Sequence, residues 1–376
     1  MSSQGECVSL FLDLAAIPSP PGEERAVADA VLRYLRDLGL EPDEDGCGPE
    51  IGSTMGNVYA RLEPTAPGTP LFFCAHLDTV PPDGELRPVV EDGVVRNAGG
   101  TILGADNKAA VVAMLEGVRR VLAEGVPHAG IELVFTPMEE VGLLGAGAFD
   151  HDRLHAEVGY VYDQAGPIGE IVLGAPWSQS MEVRFHGRAA HSGMFPEEGR
   201  SAIQAAAKAI ADLRLGRVDD ETTANVGLIS GGTGGNIVPE WCTFQAEARS
   251  RDEGKLHELV QEMVDAFSFA ATAAECEVET RLRKSYTGYR FRQDADVVEL
   301  AAASLARCGH EVRYGFSGGG ADANVFNERG RRCLNLANAM TDIHTPDERI
   351  AVADLEAMVD VTVALVEAAC DGGGAG

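Results

Sequence analysis

The chain has 376 residues, with Lys+Arg 30 against Asp+Glu 59 and a formal charge of −29. That imbalance, with no basic run, excludes a surface built to read nucleic-acid phosphates. The 45% hydrophobic and 24% charged fractions exclude disorder of the whole chain. A single core rarely grows past roughly 250–300 residues, so at least two structural units are expected. No apolar run approaches the roughly 20 residues of a transmembrane helix, and Met1 to Cys7 has no basic segment leading into an apolar one. The eight cysteines lie far apart without a Cys-x-x-Cys pair and read as reduced thiols of a cytoplasmic protein.

In chain order, Glu23 to Leu38 carries apolar residues at helical spacing, and Leu71 to Ala75 is a short apolar run of buried-strand type. Asn107 to Glu124 returns to helical period, and Ile131 to Phe135 and Gly159 to Tyr162 are further buried strands. The middle of the chain changes character. Met181 to His186 alternates, Ser201 to Leu213 is helical, Ala224 to Ile229 is strand-like, and Cys242 to Ala248 has period two. Lys255 to Ala273 is helical and Cys276 to Leu282 is a strand. This strand-helix-strand-strand-helix-strand order is a split βαβ unit, ferredoxin-like. From Val297 the alternation resumes through Val297–Cys308, Val312–Phe316, Asp322–Glu328, Cys333–Leu336 and Val352–Ala369.

The pattern predicts an α/β domain with a mixed, mostly parallel sheet and helices on both faces. It is formed by 1–176 and 289–370, with a small α+β domain inserted at 177–288. The glycine-rich end, 371–376, is expected to be disordered.

Four motifs fall just past buried strands. They are Ala75-His76-Leu77-Asp78-Thr79-Val80, Gly104-Ala105-Asp106-Asn107-Lys108-Ala109, Thr136-Pro137-Met138-Glu139-Glu140-Val141-Gly142 and Tyr162-Asp163. A fifth, Asp342-Ile343-His344-Thr345-Pro346, comes late. Open α/β sheets place ligands at the carboxyl ends of their strands, so segments distant in sequence converge there. Two histidines and several carboxylates without cysteine suit a pair of divalent cations. In His-x-Asp the acid is placed to hold the imidazole in its ligating tautomer. In Glu-Glu, one side chain is free to ligate while the other acts as a general base on water.

Together these motifs resemble those of the dinuclear zinc metallopeptidase family that contains peptidase T, carboxypeptidase G, aminoacylase and succinyl-diaminopimelate desuccinylase. Gly-Ala-Asp-Asn-Lys and Gly318-Gly-Gly-Ala-Asp-Ala-Asn324 point to the peptidase T-like branch. The resemblance implies a zinc exopeptidase-like fold and an aminopeptidase acting on short peptides, with two divalent ions per chain, zinc first, then manganese or cobalt. It implies that His76 and Asp163 hold one metal, that Glu140 and His344 hold the other, and that Asp106 bridges them. Asp78 would orient His76, Glu139 would serve as general base, and the Asp106–Asn107 peptide would be cis.

The inserted domain resembles the family's lid and dimerisation domain. In it His191 matches the histidine that reaches the partner subunit's active site of a homodimer and stabilises the oxyanion. Asn236, Arg249, Gly318 and Gly319 match substrate-contacting positions, and a guanidinium suits a substrate carboxylate. The segment between Asp78 and Asp106 is shorter than the insertion that tripeptidases of the family carry there. The alternatives are a deacylase, desuccinylase or carboxypeptidase on the same site, and a metal-binding protein without turnover.

Overall fold

Every side chain from Leu71 to His76 is buried, and a strand buried on both faces needs cover on both. Alternate residues turn opposite ways. Phe73 and Ala75 enter a core shared with Val111, Met114 and Val118 of the helix Ala105–Glu124. Phe72 meets Phe326, ring centroids 4.8 Å apart, and Cys74 meets Asp322, both from the helix Asp322–Glu328. One strand is thus sandwiched between a long helix and a short one.

The computed structural model describes residues 3–371, which form two compact units. The first is built from the chain up to Gly174 and from Arg290 onward; the second spans Ala175–Tyr289. The expected disordered tail falls, from residue 372 on, outside the described residues. The first unit is organised on an eight-stranded sheet. Its order is Asp43–Glu44, Val58–Leu62, Ile131–Thr136, Leu71–His76, Val158–Gln164, Arg332–Ala337, Glu170–Val172 and Arg313–Gly315. The central run from Ile131–Thr136 to Arg332–Ala337 is parallel, and antiparallel pairs flank it. This is the expected mixed, mostly parallel sheet. The helix Val352–Asp371 lies along Ala105–Glu124, where Gly117 allows close approach: a Cβ there would come within 2.6 Å of Thr362.

The second unit is an antiparallel sheet ordered Gly216–Arg217, Thr222–Gly231, Trp241–Ser250, Trp177–His186 and Glu277–Tyr286. Met181, Val183, Phe185, Phe244, Ala246 and Ala248 form its buried face, against the helices Ala202–Ala211 and Glu253–Ala273. Both helices carry side-chain caps: Ser201 Oγ accepts from Gln204 N–H and Asp252 Oδ1 from Lys255 N–H. The long elements follow the split βαβ order read from the sequence, with the two-residue strand Gly216–Arg217 added.

Several elements lie outside the sequence reading. A helix, Ser3–Ala15, buries Cys7, Phe11, Leu14 and Ala15, which recur at helical spacing. A small sheet pairs Pro88–Glu91 with Val94–Asn97, and Val94–Asn97 with Arg349–Ala351. Its strands are only three or four residues long and incompletely buried, so they carry no buried-strand signature. Among the described residues no helix is long and apolar enough to cross a membrane.

Gly159 and Phe72 are parallel-strand neighbours, and a Cβ on Gly159 would lie 2.2 Å from the Phe72 ring. Phe326 holds that ring from the other side. Gly159→Ala is expected to destabilise the fold by about 1–3 kcal/mol through overpacking. Denaturant unfolding checks this, and in a Phe72→Leu background the same substitution should cost less.

Candidate metal centre

Three neighbouring parallel strands deliver most of the site at their carboxyl ends. His76 closes Leu71–His76, Glu139 and Glu140 follow Ile131–Thr136, and Asp163 lies near the end of Val158–Gln164. Asp106 stands at the start of the Ala105–Glu124 helix with non-helical angles (φ −80°, ψ 102°), and the Asp106–Asn107 peptide is cis. His344 lies in the loop between Arg332–Ala337 and Arg349–Ala351, with φ 62°.

The structure brings these groups together. His76 Nε2 lies 3.2 Å from Asp106 Oδ1, 3.7 Å from Asp163 Oδ1 and 4.0 Å from Glu139 Oε2. His344 Nε2 lies 3.2 Å from Asp106 Oδ2 and 3.0 Å from Glu140 Oε1. Asp106 therefore faces one imidazole with each oxygen. The donor atoms of His76, Asp106 and Glu140 lie within 4.8 Å of one another, as do those of His76, Glu139 and Asp163.

Hydrogen bonding defines the tautomer. His76 Nδ1 is 2.9 Å from the Asp78 carbonyl, an oxygen that only accepts, so Nδ1 carries the proton. In neutral His76 the Nε2 lone pair then points at carboxylate oxygens, which repel it unless a proton or a cation lies between. Two nitrogens and several hard oxygens converging in this way form a donor set that fits divalent metal ions.

Asp78 contacts more than His76. Its carboxylate is 3.5 Å from His76 Nδ1, but its shorter contacts are the N–H groups of Glu139, 2.9 Å, and Glu140, 3.0 Å. It touches His76 with both its carbonyl and its carboxylate, and the carboxylate also binds the two glutamate amides.

The protonation preferences reflect burial among like charges. Burial and the charge of Asp106 push the Asp163 carboxyl up to about 8. Burial, with Asp163, Asp322 and Glu140 nearby, raises Glu139 well above the carboxylate range against the pull of His76. Burial also raises Asp106, but hydrogen bonds from His344 and His76 outweigh it and hold that carboxyl well below the usual range. His344, hydrogen-bonded to Asp106 and Glu140, is raised to about 10. Burial would lower His76, yet the surrounding acids carry it well above its ordinary value.

Four supporting residues escaped the sequence reading. Asn335 grips the Asp163 backbone at two points, accepting from its N–H at 2.9 Å and donating to its carbonyl at 3.0 Å. Asp322, buried, accepts from Thr136 Oγ1 at 2.5 Å, and burial lifts its carboxyl to about 6. Lys108, buried, donates to the Ile17 carbonyl at 2.6 Å, and burial lowers it to about 7. Glu348 accepts from three backbone N–H groups, one of them Asp106. Lys108 and Asp322 stand inside motifs quoted for other residues, Glu348 lies four residues past His344, and Asn335 has no such signal.

Gly318 and Gly319 lie in the loop that leads to Asp322, where Gly319 N–H donates to Ser317 Oγ at 3.0 Å. In the second unit, exposed His191 accepts at Nδ1 from Gly193 and Met194 N–H, both at 3.2 Å, which leaves its proton on Nε2. The Asn236 carbonyl accepts from Ser192 N–H at 3.0 Å, and Arg249 pairs with Glu247 at 2.9 Å.

Comparison with known proteins places the chain in a family. The family model "Peptidase family M20/M25/M40" matches residues 72–368. The Bacillus subtilis protein YqjE, itself uncharacterized, is 37% identical over 98% of this chain and 100% of its own. The aminopeptidase PepT of Bacillus cereus superposes with a TM-score of 0.89 at 37% identity, covering 97% of this chain and 98% of that one. A Staphylococcus aureus tripeptidase superposes with a TM-score of 0.93 at 32% identity, covering 98% and 99%. A family match over most of the length, joined to relatives this similar, shows that the chain belongs to peptidase family M20/M25/M40.

Proposed function

We propose that the protein is a metal-dependent peptidase that cleaves short peptides in the manner of peptidase T, with Glu139 as general base. The observation that carries this reading is the convergence of His76 and His344 on the two oxygens of Asp106, beside Glu139. His76 and Asp163 would hold one divalent cation, Glu140 and His344 the other, with Asp106 shared between them; zinc is the first choice, manganese or cobalt the alternatives. Paired divalent cations supply polarisation of a carbonyl and acidification of water. Glu139 then does the proton work: its carboxylate takes the proton from the attacking water and delivers it to the departing amine. Asp78 keeps that carboxylate in place by binding the Glu139 and Glu140 amides.

The reading extends to a cytoplasmic homodimer in which His191 offers its Nε2–H to the oxyanion, while Asn236, Arg249, Gly318 and Gly319 contact substrate. The family resemblance and the donor chemistry of these groups support it. The short segment between Asp78 and Asp106 is no bar to tripeptides, since the S. aureus chain described as a tripeptidase is covered almost completely by this one.

Glu139→Gln is expected to retain its metal content and to lose about 10²–10⁴-fold in kcat, whereas Asp106→Ala should fail to retain metal. Elemental analysis with di- and tripeptide assays checks both, and near-normal turnover by Glu139→Gln would refute the assignment. A parallel panel of N-acyl amino acids separates the deacylase alternative. His191→Ala should keep both metals and lower kcat by about 10²–10³-fold.

Metal uptake should also release protons. Asp163 at about 8 and His344 at about 10 are protonated at pH 7 in the metal-free protein and must be deprotonated to ligate. Affinity should therefore rise with pH from 6 towards 10. Calorimetry in buffers of different ionisation enthalpy reads the proton count, and no release at pH 7 contradicts the ligand set.

A further inference from the structure

We propose that Glu348 is a positioning residue for the metal centre, tying the Asp106 turn to the His344 loop and thereby setting the gap between Asp106, Glu140 and His344. The proposal rests on the two-cation reading above.

Glu348 is 1% exposed and reaches residues more than 240 positions earlier in the chain. Its Oε2 accepts from Leu103 and Gly104 N–H at 2.8 Å each, and its Oε1 from Asp106 N–H at 2.9 Å. These amides flank the start of the Ala105–Glu124 helix, where the first N–H groups lack helical partners and favour a negative group. Glu348 is itself held within the His344 loop. Its N–H donates to the Thr345 carbonyl at 3.1 Å, and Thr345 Oγ1 donates to the Asp342 carbonyl at 2.6 Å. Thr341 and Arg349 exchange two backbone hydrogen bonds at 3.1 Å each, and the Arg349 guanidinium pairs with the Asp342 carboxylate. Asp342 and His344 have φ of 53° and 62°, which side chains adopt only where neighbours enforce it.

The loop is thus braced internally, and the Glu348 carboxylate is its strut to the Asp106 amide. The other half of the centre has separate supports. His76 is held by the Asp78 carbonyl and Asp163 by Asn335, each from a central strand. Removing the strut frees the His344 loop, while Asp106 keeps its place at the head of the Ala105–Glu124 helix beside His76, so the Glu140–His344 half should weaken far more than the His76–Asp163 half. A residue that merely capped the helix would lower stability without distinguishing between two bound ions.

The test titrates metal-free, full-length wild type, Glu348→Gln and Glu348→Asp with Zn²⁺ against a chromophoric chelator, with thermal unfolding of each metal-free protein alongside. Gln matches Glu in shape but turns an NH₂ group towards an N–H donor. Wild type is expected to take two Zn²⁺ per chain. Glu348→Gln should keep one equivalent within about threefold and bind the other at least 10-fold more weakly, the range seen when outer hydrogen-bond partners of ligands are lost. Glu348→Asp, which keeps an accepting carboxylate on a shorter arm, should fall between. Two equivalents bound as tightly as in wild type, or both weakened equally, would overturn the proposal. If Glu348→Gln does not fold, Glu348→Asp decides by the same criterion. Wild type that binds no Zn²⁺ would instead defeat the two-cation reading, before any variant is considered.

Discussion

The structure turns on an electrostatic conflict. Asp106, Glu139, Glu140 and Asp163 are drawn to the ends of buried strands around two imidazoles, and Asp78 lies just behind them. Unpaired carboxylates at such burial are costly, and neutral imidazoles whose lone pairs face them add to the repulsion. In the metal-free protein, protons relieve it, which is why Asp163 and His344 hold theirs far above the ordinary range. Divalent cations would relieve it more completely. The same crowding of acids raises the Glu139 carboxyl in the metal-free protein.

The scaffold supports that tension through the main chain. Asp78 binds two amides, Asn335 grips one peptide unit from both sides, and Glu348 collects three N–H groups. Backbone amides are fixed by the fold and do not change rotamer, so they hold charged side chains with little freedom to move apart. The parallel strands bring the residues to one edge; these secondary contacts set their spacing.

Much of this was legible in the sequence, for a physical reason. Buried parallel strands read as short apolar runs, and the residues just past them are forced to the carboxyl edge of the sheet. Hence His76, Glu139, Glu140 and Asp163 stood out, and the split βαβ order of the inserted region followed from period two and helical spacing. What escaped has equally definite causes. Glu348, Asn335 and the Asp78 side chain act on peptide groups, and a peptide group leaves no trace in residue identity. The strands that join Val94–Asn97 to Arg349–Ala351 are too short for a periodicity to stand out in the sequence. The Ser3–Ala15 helix does carry apolar residues at helical spacing, Cys7, Phe11 and Leu14, so its signal is present in the sequence.

The first unit is assembled from both ends of the chain, with 175–289 folded between them. During synthesis the Val158–Gln164 strand emerges long before Arg332–Ala337, its parallel neighbour. Until the later strand arrives, one rim of the growing sheet keeps bare amide and carbonyl groups flanked by apolar side chains, the kind of surface that recruits other nascent chains. The delay is the time a ribosome takes to make residues 165–331, the inserted unit among them. Its length links the yield of the native fold to translation speed and to chaperones that shield exposed strand edges.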